Sequence, residues 1–151
     1  MEKTPYLCTK IPNDMNFAIS IKEGIGDLRF RMPVEEVSAL LGKADEVENI
    51  DNAADEPTTV LRYNELGLVL FFEGENPTLA CIDIENEEST LFGKEVFDLD
   101  ERQIVELMVK NGYAEQDVDE EDWGERRVSF PEGNLDFFMD EGELVSIVMG
   151  A

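Results

Sequence analysis

The side chains in this sequence that could carry chemistry are almost all carboxylates. The chain contains thirty-six acidic and twelve basic residues and no histidine. A carboxylate can act as a general acid or base, or it can bind a cation. Without histidine, however, the chain lacks the commonest general base and the usual zinc ligand. No spacing singles out a pair of carboxylates, so we expect no catalytic residue, no enzymatic activity and no cofactor.

The densest group of acids lies between Glu115 and Glu125. Oxygen-bearing side chains stand at alternate positions from Asp117, as they do at the start of a calcium-binding loop. Such a loop has glycine at its sixth position and glutamate at its twelfth, where this run has Asp122 and Val128. The sequence therefore favours a solvated acidic loop and predicts no metal site.

The single tryptophan, Trp123, lies inside this acidic run. Protein interfaces favour an aromatic anchor surrounded by charged residues, which makes the run a candidate contact region. The alternative is that Trp123 folds back and holds the loop against the core. The candidate partner-binding residues of this region are Trp123, Asp117, Asp119, Glu120, Glu121 and Asp122.

The formal net charge is −24. Nucleic acids and anionic membranes bind proteins through lysine and arginine, so both are excluded as partners. The same field accelerates encounter with a basic protein, which is the partner that the charge favours. The simpler interpretation is that the charge serves solubility alone.

Cys8 and Cys81 are far apart and form no paired-cysteine motif, so we expect free thiols. The N-terminal residues contain no apolar run of the length found in signal peptides. No segment is apolar for long enough to span a membrane as a helix. These features together predict a cytoplasmic protein.

The elements that must position the acidic residues follow from hydrophobic periodicity. Alternation predicts a strand over Asn16–Lys22, and apolar residues at helical spacing predict helices over Pro33–Leu41 and from Asp98 to Asn111. The acidic stretches Ala44–Pro57 and Glu115–Glu125 are interpreted as loops. Strands are predicted at Thr58–Tyr63, Leu66–Phe72, Thr78–Ile84, Arg126–Phe130, Leu135–Met139 and Glu143–Met149.

These elements form two similar series at one constant spacing. Gly26 corresponds to Gly93, and Phe30 to Phe97. The apolar positions of the helices and strands correspond in the same way, so a duplication is predicted. The boundaries are an N-terminal arm and strand over residues 1–23, a first repeat over 24–86 and a second repeat over 91–151. The two repeats are expected to share one globular unit.

Strand alternation also predicts which side chains face the helices. Leu68, Leu70 and Phe72 are expected on that side, with Phe71 on the opposite side, and Phe138 occupies the equivalent position in the second repeat. Apolar residues on both faces predict that the second face is covered, by the N-terminal arm, by the other repeat or by a partner. Phe71 and Phe138 are therefore further candidate partner-binding residues.

The stretch G-I-G-D-L-R-F-R-M-P-V-E-E-V-S-A-L-L-G-K-A-D, followed by Y-x-x-L-G-L-x-L-x-F, resembles the tandem repeat of the beta-lactamase inhibitory protein. It also resembles the repeats of small outer-membrane assembly lipoproteins. Met32, Val37 and Leu40-Leu41-Gly42 fit that pattern, whereas Arg31 stands where the pattern prefers glycine. The resemblance implies an α+β fold of two tandem helix–three-strand repeats, with the helices packed on one face of an antiparallel sheet. It further implies inhibitory or scaffolding protein contacts, and it transfers no functional residue.

Charge, the absence of a catalytic set and this resemblance together predict a non-enzymatic acidic protein-binding module. Its most specific form is an inhibitor or immunity-like protein that covers a basic surface of a toxin or enzyme. One alternative is a structural or assembly module that self-associates. Another is a protein that binds cations or small molecules weakly. The sequence leaves the oligomeric state open.

Overall fold

A computed structural model describes residues 16–50, 57–121 and 124–151. Residues 1–15, which hold the predicted N-terminal arm and Cys8, lie outside these residues, as do Asp122 and Trp123. The described part of the chain contains thirteen strands in two sheets and two α-helices. In chain order these elements are β1 (Ala18–Ser20), β2 (Gly24–Ile25), β3 (Leu28–Arg29), α1 (Val34–Leu41), β4 (Glu46–Ile50), β5 (Thr58–Tyr63), β6 (Leu68–Glu73), β7 (Thr78–Ile84), β8 (Thr90–Leu91), β9 (Lys94–Glu95), α2 (Glu101–Lys110), β10 (Asp117–Glu120), β11 (Glu125–Phe130), β12 (Leu135–Asp140) and β13 (Glu143–Gly150).

The larger sheet has eight strands in the order β10-β11-β12-β13-β7-β6-β5-β4. All neighbouring strands in it are antiparallel. Two meanders, β4–β7 and β10–β13, meet at a seam where β13 pairs with β7. Ile147 pairs with Ile84 in this seam, and Met149 pairs with Ile82. The smaller sheet has the order β9-β8-β1-β2-β3, and its β1–β8 pair is parallel.

One face of the larger sheet forms the core. Leu68, Leu70 and Phe72 alternate along β6 and are at most 1% exposed. The same buried cluster includes Val37 of α1 and Ile104 of α2. The period-2 pattern of the strands and the helical spacing of the apolar residues therefore bury the side chains that each pattern selects.

The predicted fold class is wrong. The described part of the chain is mainly β-structure, and it is not an α+β protein of two helix–three-strand repeats with helices packed on one face of a sheet. Each half contributes four strands to the larger sheet, a second sheet is present, and the helices have only eight and ten residues. The order of one helix followed by four strands does occur twice. The duplication and its boundaries stay predictions.

The extra strands β4 and β10 form within stretches that were predicted to be acidic loops. Opposite charges on the neighbouring strands explain the difference. Arg62 lies across from Glu46, and Arg127 lies across from Asp119. Cross-strand pairs of opposite charge favour strand pairing and offset the repulsion among the acids along each strand.

The start of α2 also differs from the prediction. Asp98 ends a short 3-10 turn, and Asp100 is the N-cap residue. The Gln103 backbone N–H donates to the Asp100 carboxylate at 2.9 Å, and the Asp100 N–H donates to the Gln103 side chain at 3.0 Å. This reciprocal arrangement satisfies two N–H groups that have no partner within the helix.

Candidate protein-binding surface

The face of the larger sheet opposite the core is called the outer face here. Its side chains come from the strand positions that alternate with the core positions. Apart from Val60, which is buried, they are half-buried. The outer face includes Val60, Arg62, Val69, Phe71, Cys81, Asp83, Arg127, Ser129, Asp136, Phe138, Ser146 and Val148.

Two carboxylates lie at the centre of the outer face. Asp83 of β7 and Asp136 of β12 both pair with Val148 of β13, which lies between them. Their backbones are thus two strand spacings apart, which is about 10 Å. Asp136, Val148, Asp83 and Val69 form one row across the sheet. Phe138 lies two residues after Asp136, on one side of this row, and Phe71 lies two residues after Val69, on the other side.

The carboxylate of Asp83 is held in a site that disfavours its charge. Its Oδ1 atom is buried and accepts no hydrogen bond from the residues that the structure describes. Burial and, secondarily, the charge of Glu85 raise the pKa of Asp83 to about 6, against a lowering effect from Arg62. At neutral pH the group is ionised, and the folded chain bears an unfavourable desolvation energy.

The neighbouring thiol supplies no reactive nucleophile. Burial, followed by the charges of Asp83, Glu73 and Asp136, raises the pKa of Cys81 to about 11. The thiol is therefore protonated at neutral pH, and a protonated thiol is a poor nucleophile. Cys81 contributes a small apolar surface to the outer face instead.

Asp83→Asn is expected to change how stability depends on pH. The folded chain keeps the Asp83 proton up to about pH 6, whereas the unfolded chain releases it near the ordinary value of 3.8. Between these values the folded state binds more protons, so stability falls as pH rises and levels off above pH 6. The asparagine variant should be more stable than the parent by about 1 kcal/mol at pH 7.5, after allowance for partial exposure. The difference should fall to about a third of that value at pH 4.5, and it should vanish only well below the unfolded-state pKa of 3.8.

Urea denaturation at the two pH values, followed by circular dichroism, measures this difference. Asp140→Asn removes the same charge from an exposed position of β12 and is the matched control. Equal effects of the two substitutions at pH 7.5 would show that net charge, and not the site of Asp83, sets the stability change.

The predicted acidic residues lie at one edge of the larger sheet. Asp117, Asp119 and Glu120 are exposed on β10, and Glu121 follows it. Asp119 forms an ion pair with Arg127, and Glu120 lies 3.4 Å from Arg126. These acids are therefore partly neutralised by the adjacent strand.

The structure brings some of the predicted residues together and separates others. Phe71 and Phe138 both lie on the outer face, as alternation predicted. Asp117 and Asp119 lie on the outer-face side of β10, at the edge of the sheet. Glu120 lies on the opposite side of the same strand. Sequence reasoning missed Asp83, because a single acid in a strand normally indicates a solvated position.

Two absences bear on the other predictions. Within residues 16–50, 57–121 and 124–151, no three Cys, Asp or Glu side chains are grouped so that they could hold a metal ion. In the same residues, neither helix has the length and hydropathy needed to cross a membrane.

No protein-family model matches this chain, and no curated protein matches it. A weak likeness exists to the 1.5 Å crystal structure of an extracellular protein containing a SCP domain from Bacillus anthracis str. Ames. The TM-score is 0.45 with 16% sequence identity, over 78% of this chain and 42% of that structure. The chain thus spans less than half of that protein, and a likeness at this level assigns neither a family nor a function.

Proposed function

We propose that this chain is a non-enzymatic binding protein whose outer face covers a basic surface of another protein. The observation that supports the proposal is the placement of Asp83 and Asp136 among Phe71, Phe138 and Val148. Aromatic and aliphatic side chains supply area that a partner can bury. The two carboxylates select a partner that presents positive charge there.

The electrostatics of Asp83 support a cationic partner group. A lysine or arginine placed over Asp83 would pair with its carboxylate, whose buried Oδ1 atom has no donor among the described residues. Charge-assisted hydrogen bonds of this kind are stronger than neutral ones, and docking excludes water from them. The partner would thus relieve an unfavourable interaction that exists in the free chain.

The remaining acids have a separate part in the proposal. A net charge of −24 raises the rate of encounter with a basic protein, and that effect weakens with salt. Asp117 and Asp119 would form a solvated rim. Where the covered surface is the one with which a toxin or enzyme binds its substrate, covering it would inhibit that protein, as an immunity protein does.

Photo-crosslinking of the full chain tests the proposal. We expect p-benzoylphenylalanine at position 71 or 138 to capture a protein of basic pI from host extract at low salt. Unlabelled parent chain should compete with this capture. A double variant, Asp83→Asn with Asp136→Asn, should compete at least about tenfold less well, because it lacks both central charges.

The photoreactive residue at position 92 is the control, since Phe92 is 39% exposed at the turn between β8 and β9 of the smaller sheet. Three results would contradict the proposal: equal capture from position 92, equal competition by the double variant, or capture of only a second copy of this chain. The last result would support the self-associating module instead.

A further inference from the structure

The exposed apolar side chains of the described residues concentrate on the two edge strands of the larger sheet. Six large hydrophobic residues are exposed in the described part of the chain, and three of them, Val47, Ile50 and Val118, lie on β4 or β10. Val47 is 60% exposed and Ile50 is 44% exposed, both on β4. Every residue of β4 is exposed, although the strand is paired with β5 along its whole length.

An edge strand presents backbone N–H and C=O groups that can pair with another chain. In the described part of the chain, β4 pairs on one side only. It contains neither proline nor lysine, and its ladder with β5 has no bulge, so it lacks the usual features that block further pairing. Its glutamates are the one feature that restricts which strand can join.

The charges of β4 are only weakly neutralised. Glu46 and Glu48 share a single cation, Arg62, whose nitrogen atoms lie 3.7 and 3.9 Å from their carboxylate oxygens. Both glutamates are more than half exposed, and ion pairs at such positions contribute little. A further cation can therefore bind beside them. On β10, Asp119 pairs with Arg127, and Glu120 pairs with Arg126, which also binds Glu101.

The same charges disfavour pairing between two copies of β4. Antiparallel pairing centred on Val47 places Glu46 of each copy opposite Glu48 of the other. Pairing centred on Glu48 places the two Glu48 side chains opposite one another. Like charges directly across a rung are destabilising. The occupant that β4 favours is therefore a strand of different composition.

From this geometry we infer that β4 is a docking edge for an extended segment of a basic protein, which adds a ninth strand to the larger sheet. Residues of the added strand opposite Glu46 and Glu48 lie on the same face as those glutamates and are basic. The residue between them lies beside Val47 and is apolar, and the residue opposite Ile50 is also apolar. The recognised pattern is basic–apolar–basic, with an apolar residue two positions beyond. Glu46 and Glu48 lie on the same side of the sheet as the outer face, at its β4 edge, but backbone pairing along β4 does not depend on Asp83 or Asp136.

Nuclear magnetic resonance of the ¹⁵N-labelled full chain tests this inference. The probe is a short peptide containing Lys-Val-Lys-Thr-Val and its reverse-order form, so that parallel and antiparallel addition are both sampled. We expect amide shifts that centre on β4 and reach the facing rungs of β5. Two control peptides are N-methylated at alternate residues, one at the odd and one at the even positions, and both retain the charge. One of the two should lose binding, because its N-methyl groups block backbone pairing.

Variants of the chain separate local from overall charge. The double variant Glu46→Gln with Glu48→Gln should bind the probe about three- to tenfold more weakly than the parent. The control, Glu132→Gln with Glu141→Gln, removes the same charge at exposed positions in the other half of the chain. It should weaken binding less than twofold. Equal weakening by both variants, full binding by both N-methylated peptides, or shifts centred on Asp83 and Asp136 would each overturn the inference.

Discussion

Phe137→Ala is expected to lower the free energy of unfolding by about 3–5 kcal/mol, the range for truncation of a buried phenylalanine. Phe137 is fully buried at the middle of β12. It pairs with Val128 on one side and Ile147 on the other, and its ring centroid lies 5.7 Å from that of Phe130. Alanine would leave a cavity that two flanking strands cannot close without breaking their ladders.

Urea denaturation followed by circular dichroism at pH 7.5 measures this loss. Val145→Ala is the matched control, because Val145 lies on the neighbouring strand β13 but is 45% exposed. Its substitution should change the unfolding free energy by less than about 0.5 kcal/mol. Comparable losses in the two variants would show that the core does not close around Phe137.

Gly24→Ala is expected to cost about 3 kcal/mol or more, through steric overlap that the backbone cannot avoid. A Cβ atom at Gly24 would lie 1.9 Å from the carbonyl oxygen of Leu28. The overlapping group is backbone of the paired strand β3, so no side-chain rotation relieves it. The Gly24 φ angle of 153° is also one that side chains rarely adopt.

Gly93→Ala is the control for this second substitution. Gly93 also has a positive φ, 77°, but a Cβ atom there meets nothing within 4 Å. We expect a loss of about 1 kcal/mol, which reports the backbone conformation alone. Thermal and urea denaturation of both variants measure the difference. Equal losses would mean that the close approach of β2 to β3 adds no energy.

The parts of the fold that could be predicted are those in which a local pattern decides the outcome. Leu68, Leu70 and Phe72 stand at alternate positions of one strand, so strand geometry alone puts them on one face, although Val69 and Phe71 between them are also apolar. The strands β4 and β10 could not be predicted, since they depend on Arg62, Arg126 and Arg127 lying across a rung. Strand preference depends on such neighbours more than on the residues of the strand itself. The two-residue strands of the smaller sheet are too short to show any period.

The candidate site divides in the same way. Phe71 and Phe138 could be placed on the outer face, because alternation within one strand is enough. Asp83 could not be identified, because its site is built with Val148, which belongs to the other end of the chain. The acids of β10 drew attention through their density, but density does not report the arginines that neutralise them.

The seam between β7 and β13 has a consequence for the order in which the chain folds. Within the described part of the larger sheet it is the one pairing between strands that are not neighbours in sequence. Each meander forms through short-range contacts, so the loop-closure entropy of the sheet is concentrated in this single step. One rung of this seam, Asp83 with Val148, also assembles the centre of the outer face. A ligand of that face therefore binds only chains whose halves have joined, and by mass action it holds them together.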